Sequence, residues 1–141
     1  MEIAGRCHCG NLSFVLHSDR EADELRAREC DCTFCRAHGA KCVADADGRA
    51  VIRVDDASQL LRYRFGMQTA DFLVCRACGV YLGAVIDVDN ATFSTLNIRT
   101  SALRDVPASA QSYAGETREE RIARRRHTWT PTEIRVSPGS R

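Results

Sequence analysis

The spacing of the cysteines constrains this chain more than any other feature. Eight cysteines occur in 141 residues, and seven of them fall into three short groups: Cys7 and Cys9; Cys30, Cys32 and Cys35; and Cys75 and Cys78. Cysteines one or two residues apart converge easily on a single ion but rarely bond to each other. The spacing therefore favours metal sites, and a disulfide framework is the alternative.

The expected compartment and partners agree with this interpretation. The N-terminal segment MEIAGRCHCG lacks a basic region followed by an apolar one, so we expect no signal peptide and a cytoplasmic location. In a reducing compartment, paired cysteines more often bind metal than form disulfides. The net charge of +1 gives no general attraction for nucleic acid. No apolar run approaches the roughly 18 residues of a membrane span, so we expect neither nucleic acid nor a membrane as partner.

Hydrophobic patterning predicts a mainly β chain. Alternation and short apolar runs indicate strands near residues 11–16, 41–46, 50–54, 61–65, 72–74, 80–88, 92–98 and 134–136. Asp47-Gly48 predicts a hairpin that joins the second of these strands to the third. We expect a single domain over residues 1–141, with a core at about 3–100 and a helix and tail at 113–141 that frays at its end.

The segment ETREERIARRR, residues 116–126, is the best candidate for a helix. Its glutamates come first and its arginines last, which suits the helix dipole, and Glu120 and Arg124 have the spacing of a favourable pair. Binding to nucleic acid would favour interleaved aromatic residues and a basic excess, and this chain has few of the former and lacks the latter. We interpret the segment as one late, solvated helix.

The first and third cysteine groups predict a closed metal site. Cys7-x-Cys9 and Cys75-x-x-Cys78 are each followed by a glycine. Glycine accepts the positive φ that a sharp turn can require, and such a turn lets backbone N–H groups point at the sulfur atoms. Two such turns supply four thiolates, which is enough for a tetrahedral structural zinc site that joins distant parts of the chain.

The middle group predicts a second, different zinc site. Cys30, Cys32 and Cys35 supply only three thiolates. Cys42 is the one remaining cysteine; it either completes this site or is a small apolar residue in a strand. If Cys42 is not a ligand, the ion keeps an open position, as catalytic zinc sites do, and an incoming thiol could occupy it.

Two further side chains carry alternative interpretations. His38 follows the middle group and is a candidate proton carrier, but it could equally orient a neighbour or be a plain surface residue. Trp129, the only tryptophan, either packs in the core or lines a pocket.

The three groups together resemble a known family. Gly5-x-Cys7-x-Cys9-Gly10, Cys30-x-Cys32-x-x-Cys35-Arg36-x-x-Gly39-Ala40 and Cys75-x-x-Cys78-Gly79 are similar in order and spacing to the motifs of the glutathione-dependent formaldehyde-activating enzyme family, which includes centromere protein V. The resemblance extends from about Gly5 to Ile98 and is weak in the late helix and tail.

The resemblance implies a fold, an activity and a set of ligands. The fold is Mss4-like, with several small twisted antiparallel sheets. The implied cofactors are two zinc ions, a structural one on Cys7, Cys9, Cys75 and Cys78 and a catalytic one on Cys30, Cys32 and Cys35. The implied activity is that of a carbon–sulfur lyase that joins glutathione and formaldehyde. Family members often have histidine where this chain has Asp31, and its negative charge disfavours a thiolate ligand unless the side chain points away.

Three functional hypotheses follow. The first is a zinc-dependent lyase that acts on a glutathione-type thiol adduct such as S-hydroxymethylglutathione. The second is a non-catalytic, zinc-stapled thiol carrier or interaction module, with the charged segment 19–29 or the late helix facing a partner. The third is a redox pair of Cys32 and Cys35, which the extra Cys30 and the missing βαβ pattern disfavour.

Overall fold

The computed structural model describes residues 1–138, and residues 139–141, where the tail was expected to fray, lie outside this range. The described residues form β-strands and two α-helices. The helices are α1 (Thr33–His38) and α2 (Arg118–Thr128). The strands are β1 (Glu2–Arg6), β2 (Leu12–His17), β3 (Arg28–Cys30), β4 (Cys42–Val43), β5 (Arg49–Val54), β6 (Leu60–Tyr63), β7 (Asp71–Cys75), β8 (Tyr81–Val88), β9 (Ala91–Asn97), β10 (Ser109–Gln111) and β11 (Thr130–Val136).

The strands form a mixed, mostly antiparallel sheet in two halves. The first half has the order β1-β2-β5-β11, and the second half continues from β11 through β9, β4 and β3 to β10. A branch of β8, β7 and β6 leaves β9. Two pairings are parallel, β11 with β5 and β10 with β3. The prediction of a mainly β fold with a late helix is confirmed.

Strand β11 connects the two halves. Thr130 and Pro131 pair with β9, and the following residues pair with β5 from Thr132 to Val136. The predicted strand at 134–136 is therefore longer than expected. Because β11 directly follows α2, this pairing also fixes the end of α2 against the centre of the sheet.

The predicted hairpin at Asp47-Gly48 is wrong. The chain turns there, but β4 pairs with β3 and β9, whereas β5 pairs with β2 and β11. The buried carboxylate of Asp45 accepts a hydrogen bond from Ser18, and its backbone N–H donates to the Thr130 hydroxyl at 2.7 Å. These contacts hold the segment between β4 and β5 as it passes from the second half of the sheet to the first. The predicted strands near 80–88 and 92–98 correspond to β8 and β9, which pair as a hairpin with positive φ at Asp89 and Asn90.

Four short elements lack a sequence prediction: β1, β3, β10 and α1. Each contains six residues or fewer, and such lengths carry little hydrophobic periodicity. Within residues 1–138, no helix is long and apolar enough to cross a membrane.

The buried apolar side chains form two clusters. The larger one fills the space between the two halves of the sheet and includes Phe14, Ile52 and Leu82. The smaller one surrounds the middle cysteine group and includes Phe72, Tyr81 and Trp129. Cys7 and Cys75 belong to the larger cluster and Cys35 to the smaller one, so the candidate metal ligands have different surroundings.

Candidate metal centres

The first and third cysteine groups come together in the fold. The sulfur atoms of Cys7, Cys9, Cys75 and Cys78 all lie within 4.8 Å of one another. The Sγ–Sγ distance is 3.7 Å between Cys7 and Cys9 and 3.6 Å between Cys9 and Cys75. Zinc–sulfur bonds of about 2.3 Å in a tetrahedron place sulfur atoms about 3.8 Å apart. The donor set therefore fits a tetrahedral zinc ion.

Both glycines that follow these groups have the predicted conformation. Gly10 has a φ of +86° and Gly79 a φ of +79°, a region that side chains rarely adopt. The turns aim backbone N–H groups at sulfur, and the N–H of Leu12 lies 3.2 Å from Cys7 Sγ. Burial raises the pKa of Cys78, but hydrogen bonds from backbone groups of Cys9 and Val80 outweigh it and lower the pKa to about 6. This turn therefore favours a thiolate.

The four-cysteine group connects the two halves of the sheet. Cys7 directly follows β1, which belongs to the first half, and Cys75 ends β7, which belongs to the second. Cys7 and Cys75 are fully buried, and Cys9 is exposed. An ion held here would cross-link segments that are distant in the chain, which is the geometry of a structural site.

The middle cysteine group also forms a cluster. The sulfur atoms of Cys30, Cys32 and Cys35 lie within 4.8 Å of one another. Cys30 ends β3, Cys32 caps the N-terminus of α1, and Cys35 lies in its first turn. The Cys32 sulfur accepts a hydrogen bond from the Cys35 N–H at 3.4 Å. The short helix α1 thus directs two of the three sulfur atoms.

The pKa values of the three thiols are coupled, and this coupling favours the binding of a cation. Hydrogen bonds from Cys30 and Cys35 lower the pKa of the Cys32 thiol far below its usual value. The same coupling raises the pKa of Cys35 and of Cys30. One thiolate forms readily and the next two are opposed by like charge, so a divalent ion would stabilise all three.

Cys42 lies near this cluster but is not one of its members. Its sulfur is not within 4.8 Å of all three others. Burial raises its pKa to about 12, and its side chain is hydrogen-bonded to the hydroxyl of Tyr81. Its position outside the cluster therefore sets it apart from the three candidate ligands.

A cavity of about 280 Å³ opens beside the middle group. Its lining includes all three sulfur-bearing residues, together with Cys42 and Tyr81. Phe65, Phe72 and Trp129 supply apolar walls. Small-molecule sites are concave and mostly apolar with a few polar groups, and this cavity has that character. A more open depression lined by His8 and Gly79 lies beside the four-cysteine group, but none of the four cysteines is among its lining residues.

One wall of the cavity comes from α2, which the sequence analysis interpreted as a solvated helix. Arg121, Arg124 and Arg125 all line the cavity, and Arg125 is only 9% exposed. That interpretation was wrong for this face of the helix. The signal was present, because residues three and four apart lie on one face of a helix, and these arginines have that spacing.

The predicted pair of Glu120 and Arg124 does not form. The Glu120 carboxylate accepts a hydrogen bond from the backbone N–H of Thr117 at 2.9 Å and so caps the helix. Arg124 instead contacts Glu116, with 2.7 Å between Nε and Oε2, and Arg121 contacts the same carboxylate at 3.1 Å. Glu116, just before the helix, therefore holds two of the three cavity arginines.

The other candidate residues take different positions. His38 is exposed, packs against the ring of Phe34 at 4.5 Å between centroids, and lines a separate surface depression. Its proposed role in proton transfer stays a prediction. Asp31 is exposed and is the one carboxylate among the described residues that line the cavity. Trp129 is buried and lines the cavity, so its two alternative roles coincide.

Of the comparisons with known proteins, one supports a shared fold and none gives an activity. No protein-family model matches the chain, and no curated protein matches it. The chain is similar to the crystal structure of a Rhodobacter sphaeroides protein, a target of the Northeast Structural Genomics effort, with 27% sequence identity and a TM-score of 0.52. The match covers 77% of this chain and 99% of that one. The described residues thus form a mainly β fold with two cysteine clusters that could bind metal ions. This fold is similar to that of a bacterial protein.

Proposed function

We propose that this protein is a zinc-dependent carbon–sulfur lyase that acts on a glutathione-type thiol adduct such as S-hydroxymethylglutathione. One observation carries the proposal: a cluster of three close cysteines opens onto a cavity with apolar and cationic walls. A closed structural site would have a fourth protein ligand and would need no adjoining cavity.

The three cysteines are well placed to hold a zinc ion beside the cavity. Zinc bound by three sulfur atoms would supply an open position that stabilises a substrate thiol as its thiolate. Phe72 and Trp129 share a buried apolar cluster with Cys35 and line the cavity. Apolar surroundings strengthen electrostatic interactions.

The reaction itself needs few protein groups. In the forward direction the thiol sulfur forms a bond to the aldehyde carbon, the carbonyl electron pair moves to oxygen, and that oxygen takes a proton. The reverse reaction breaks the carbon–sulfur bond. Burial raises the pKa of the Tyr81 hydroxyl well above its usual value, so it stays protonated at neutral pH and can donate a hydrogen bond to that oxygen.

The cysteine motifs support a more specific assignment. Their order and spacing resemble the glutathione-dependent formaldehyde-activating enzyme family, so we propose that the chain belongs to it. In that assignment the aldehyde is formaldehyde, the thiol is glutathione, and the protein works in the cytoplasm. The cysteine motifs do not extend into α2, whose arginines contribute a wall of the cavity.

The proposal can be tested by measuring exchange between free glutathione and S-hydroxymethylglutathione by NMR, with and without zinc-loaded protein. We expect faster exchange than in buffer and loss of the effect in Cys35→Ser. Thr33→Ser, an exposed change in the same helix, is the matched control and should keep the effect. Exchange at the buffer rate, together with no saturable binding of thiols, would reject the proposal.

A second function is favoured by the position of His38. This candidate proton carrier lines a different depression from the cysteine cavity. A thiol carrier or interaction module would bind a thiol in the cavity without accelerating the exchange. Saturable binding of glutathione with exchange at the buffer rate would select this alternative.

A further inference from the structure

Arg125 is a buried cation without a carboxylate partner. Its side chain is only 9% exposed, and its guanidinium carbon lies 4.8 Å from the centre of the Trp129 ring. Its Nη1 donates a hydrogen bond to the Thr69 hydroxyl at 2.7 Å. Its buried Nε has no hydrogen-bond partner in residues 1–138, and no carboxylate there lies within ion-pair distance of the group.

The neighbouring arginines differ from Arg125 in this respect. Arg121 and Arg124 both contact the carboxylate of Glu116. The guanidinium of Arg124 also lies 3.6 Å from the centre of the Tyr113 ring. The Glu116 carboxylate is therefore already shared by two arginines, and no carboxylate within residues 1–138 directly balances the charge on Arg125. All three arginines line the cavity.

A buried cation without an anion is costly, and a ligand anion would remove that cost. Burial and the neighbouring Arg124 and Arg121 lower the pKa of Arg125 to about 10, which still leaves it charged at neutral pH. An unpaired buried charge loses its hydration without compensation. The planar guanidinium pairs especially well with carboxylates, because two parallel N–H groups meet two oxygens.

We propose that Arg125 binds a carboxylate of the thiol ligand and makes this site selective for thiols that carry an acid group. The cysteine cluster and Arg125 lie on the lining of one cavity of about 280 Å³, so a small ligand can reach both. The proposal rests on the proposed function, because the thiol end of the ligand is assigned to the cysteine cluster. It adds the residue that distinguishes an acidic thiol from a neutral one.

The fluorescence of Trp129 offers a direct readout. Trp129 is the only tryptophan of the chain, lines the cavity and contacts Arg125. The zinc-loaded protein should be titrated with 3-mercaptopropionate, with the neutral thiol 2-mercaptoethanol and with propionate, which lacks a thiol. We expect the acidic thiol to bind roughly 10- to 100-fold more tightly than the neutral one, the range of a charge-assisted hydrogen bond.

Substitutions in α2 test whether Arg125 is responsible for the preference for the acidic thiol. Arg125→Gln should bind both thiols with the weaker affinity of the neutral one, and Arg125→Lys should keep part of the preference. Arg126→Gln is the matched control, because Arg126 is exposed, does not line the cavity and contacts Asp89 at 3.2 Å. Its preference should be that of the unaltered protein. Thermal unfolding and the zinc content of each variant show whether it is folded and loaded.

The outcomes separate this inference from the proposed function. Equal affinity for the two thiols, unchanged in Arg125→Gln and in Arg125→Lys, overturns the role of Arg125 and leaves the thiol site intact. Binding of neither thiol, with propionate still bound and lost in Arg125→Gln, supports the anion site at Arg125 but rejects the proposed function. If Arg125→Gln does not fold, the affinities of the unaltered protein and of Arg125→Lys for the two thiols decide whether Arg125 has this role.

Discussion

The two cysteine clusters use the same ligand chemistry in opposite surroundings. The four-cysteine cluster has a complete set of donors, two fully buried members and positions in both halves of the sheet. The three-cysteine cluster has an incomplete set and faces a cavity bordered by arginines and aromatic rings. Ligand number and access, rather than ligand type, distinguish a site that stabilises the fold from one that can take a substrate.

The largest difference should appear in stability. Cys75→Ser removes a fully buried ligand from the cluster that joins the two halves, and we expect a loss of about 4 kcal/mol or more in the free energy of unfolding, the range for loss of a structural metal. Cys35→Ser is the matched change at a buried cysteine of the other cluster and should cost clearly less. Chemical denaturation of both variants measures the difference; equal losses would contradict a purely functional second cluster.

The second-largest difference between the two clusters should appear on removal of metal. We expect two zinc ions per chain in freshly purified protein, and dialysis against millimolar glutathione or a chelator should remove one of them first. The site with three protein ligands has an open position for a competitor, whereas the closed site does not. Elemental mass spectrometry gives the count. In Cys32→Ser the count should be one before dialysis, and two ions that resist dialysis would indicate a closed second site.

The arginine wall should make a smaller contribution that depends on pH. Hydrogen bonds from Arg124 and Arg121 lower the pKa of Glu116 below its usual 4.5. The resulting stability is fully present above about pH 4.5 and is lost as the pH falls through the lower pKa of the folded state. Glu116→Gln should therefore cost about 1 kcal/mol at pH 7, and the difference should shrink toward pH 3.

A control tests whether this effect belongs to the cavity wall. Glu133 forms a similar pair with Arg135 at 2.9 Å on the exposed surface, so Glu133→Gln should leave stability unchanged within error. Denaturation of both variants between pH 3 and pH 7 makes the comparison. A Glu116→Gln loss that does not vary with pH would show that the carboxylate charge is not its source.

Among the cysteines, the smallest effect is expected at Cys42. Because its sulfur is hydrogen-bonded to Tyr81 and lies outside the group of three, Cys42→Ser should retain two zinc ions and lose no more than about 1 kcal/mol, the worth of one hydrogen bond. Metal analysis and thermal unfolding check both values. Loss of one zinc ion would make Cys42 the fourth ligand and close the second site.

The local parts of the fold were predictable because their causes are local. The turns after Cys9 and Cys78 need glycine at positive φ, and the pairs of cysteines converge by spacing alone. Strands β8 and β9 follow from their own apolar runs, and the turn between them has positive φ at Asp89 and Asn90. The false hairpin at Asp47-Gly48 has an equally good local signal, but the contacts of Asp45 with Ser18 and Thr130 override it.

The sequence by itself determined the three cysteine groups, the mainly β character and the late helix, since each depends on residues close together in the chain. Only the tertiary structure decided that Cys42 lies outside the second cluster and that the arginines of α2 line its cavity. The first depends on the pairing of β4 with β3 and β9. The second depends on β11, which joins the two halves of the sheet and positions the helix before it. Pairing between distant strands is set by packing of the whole chain, which no short segment encodes.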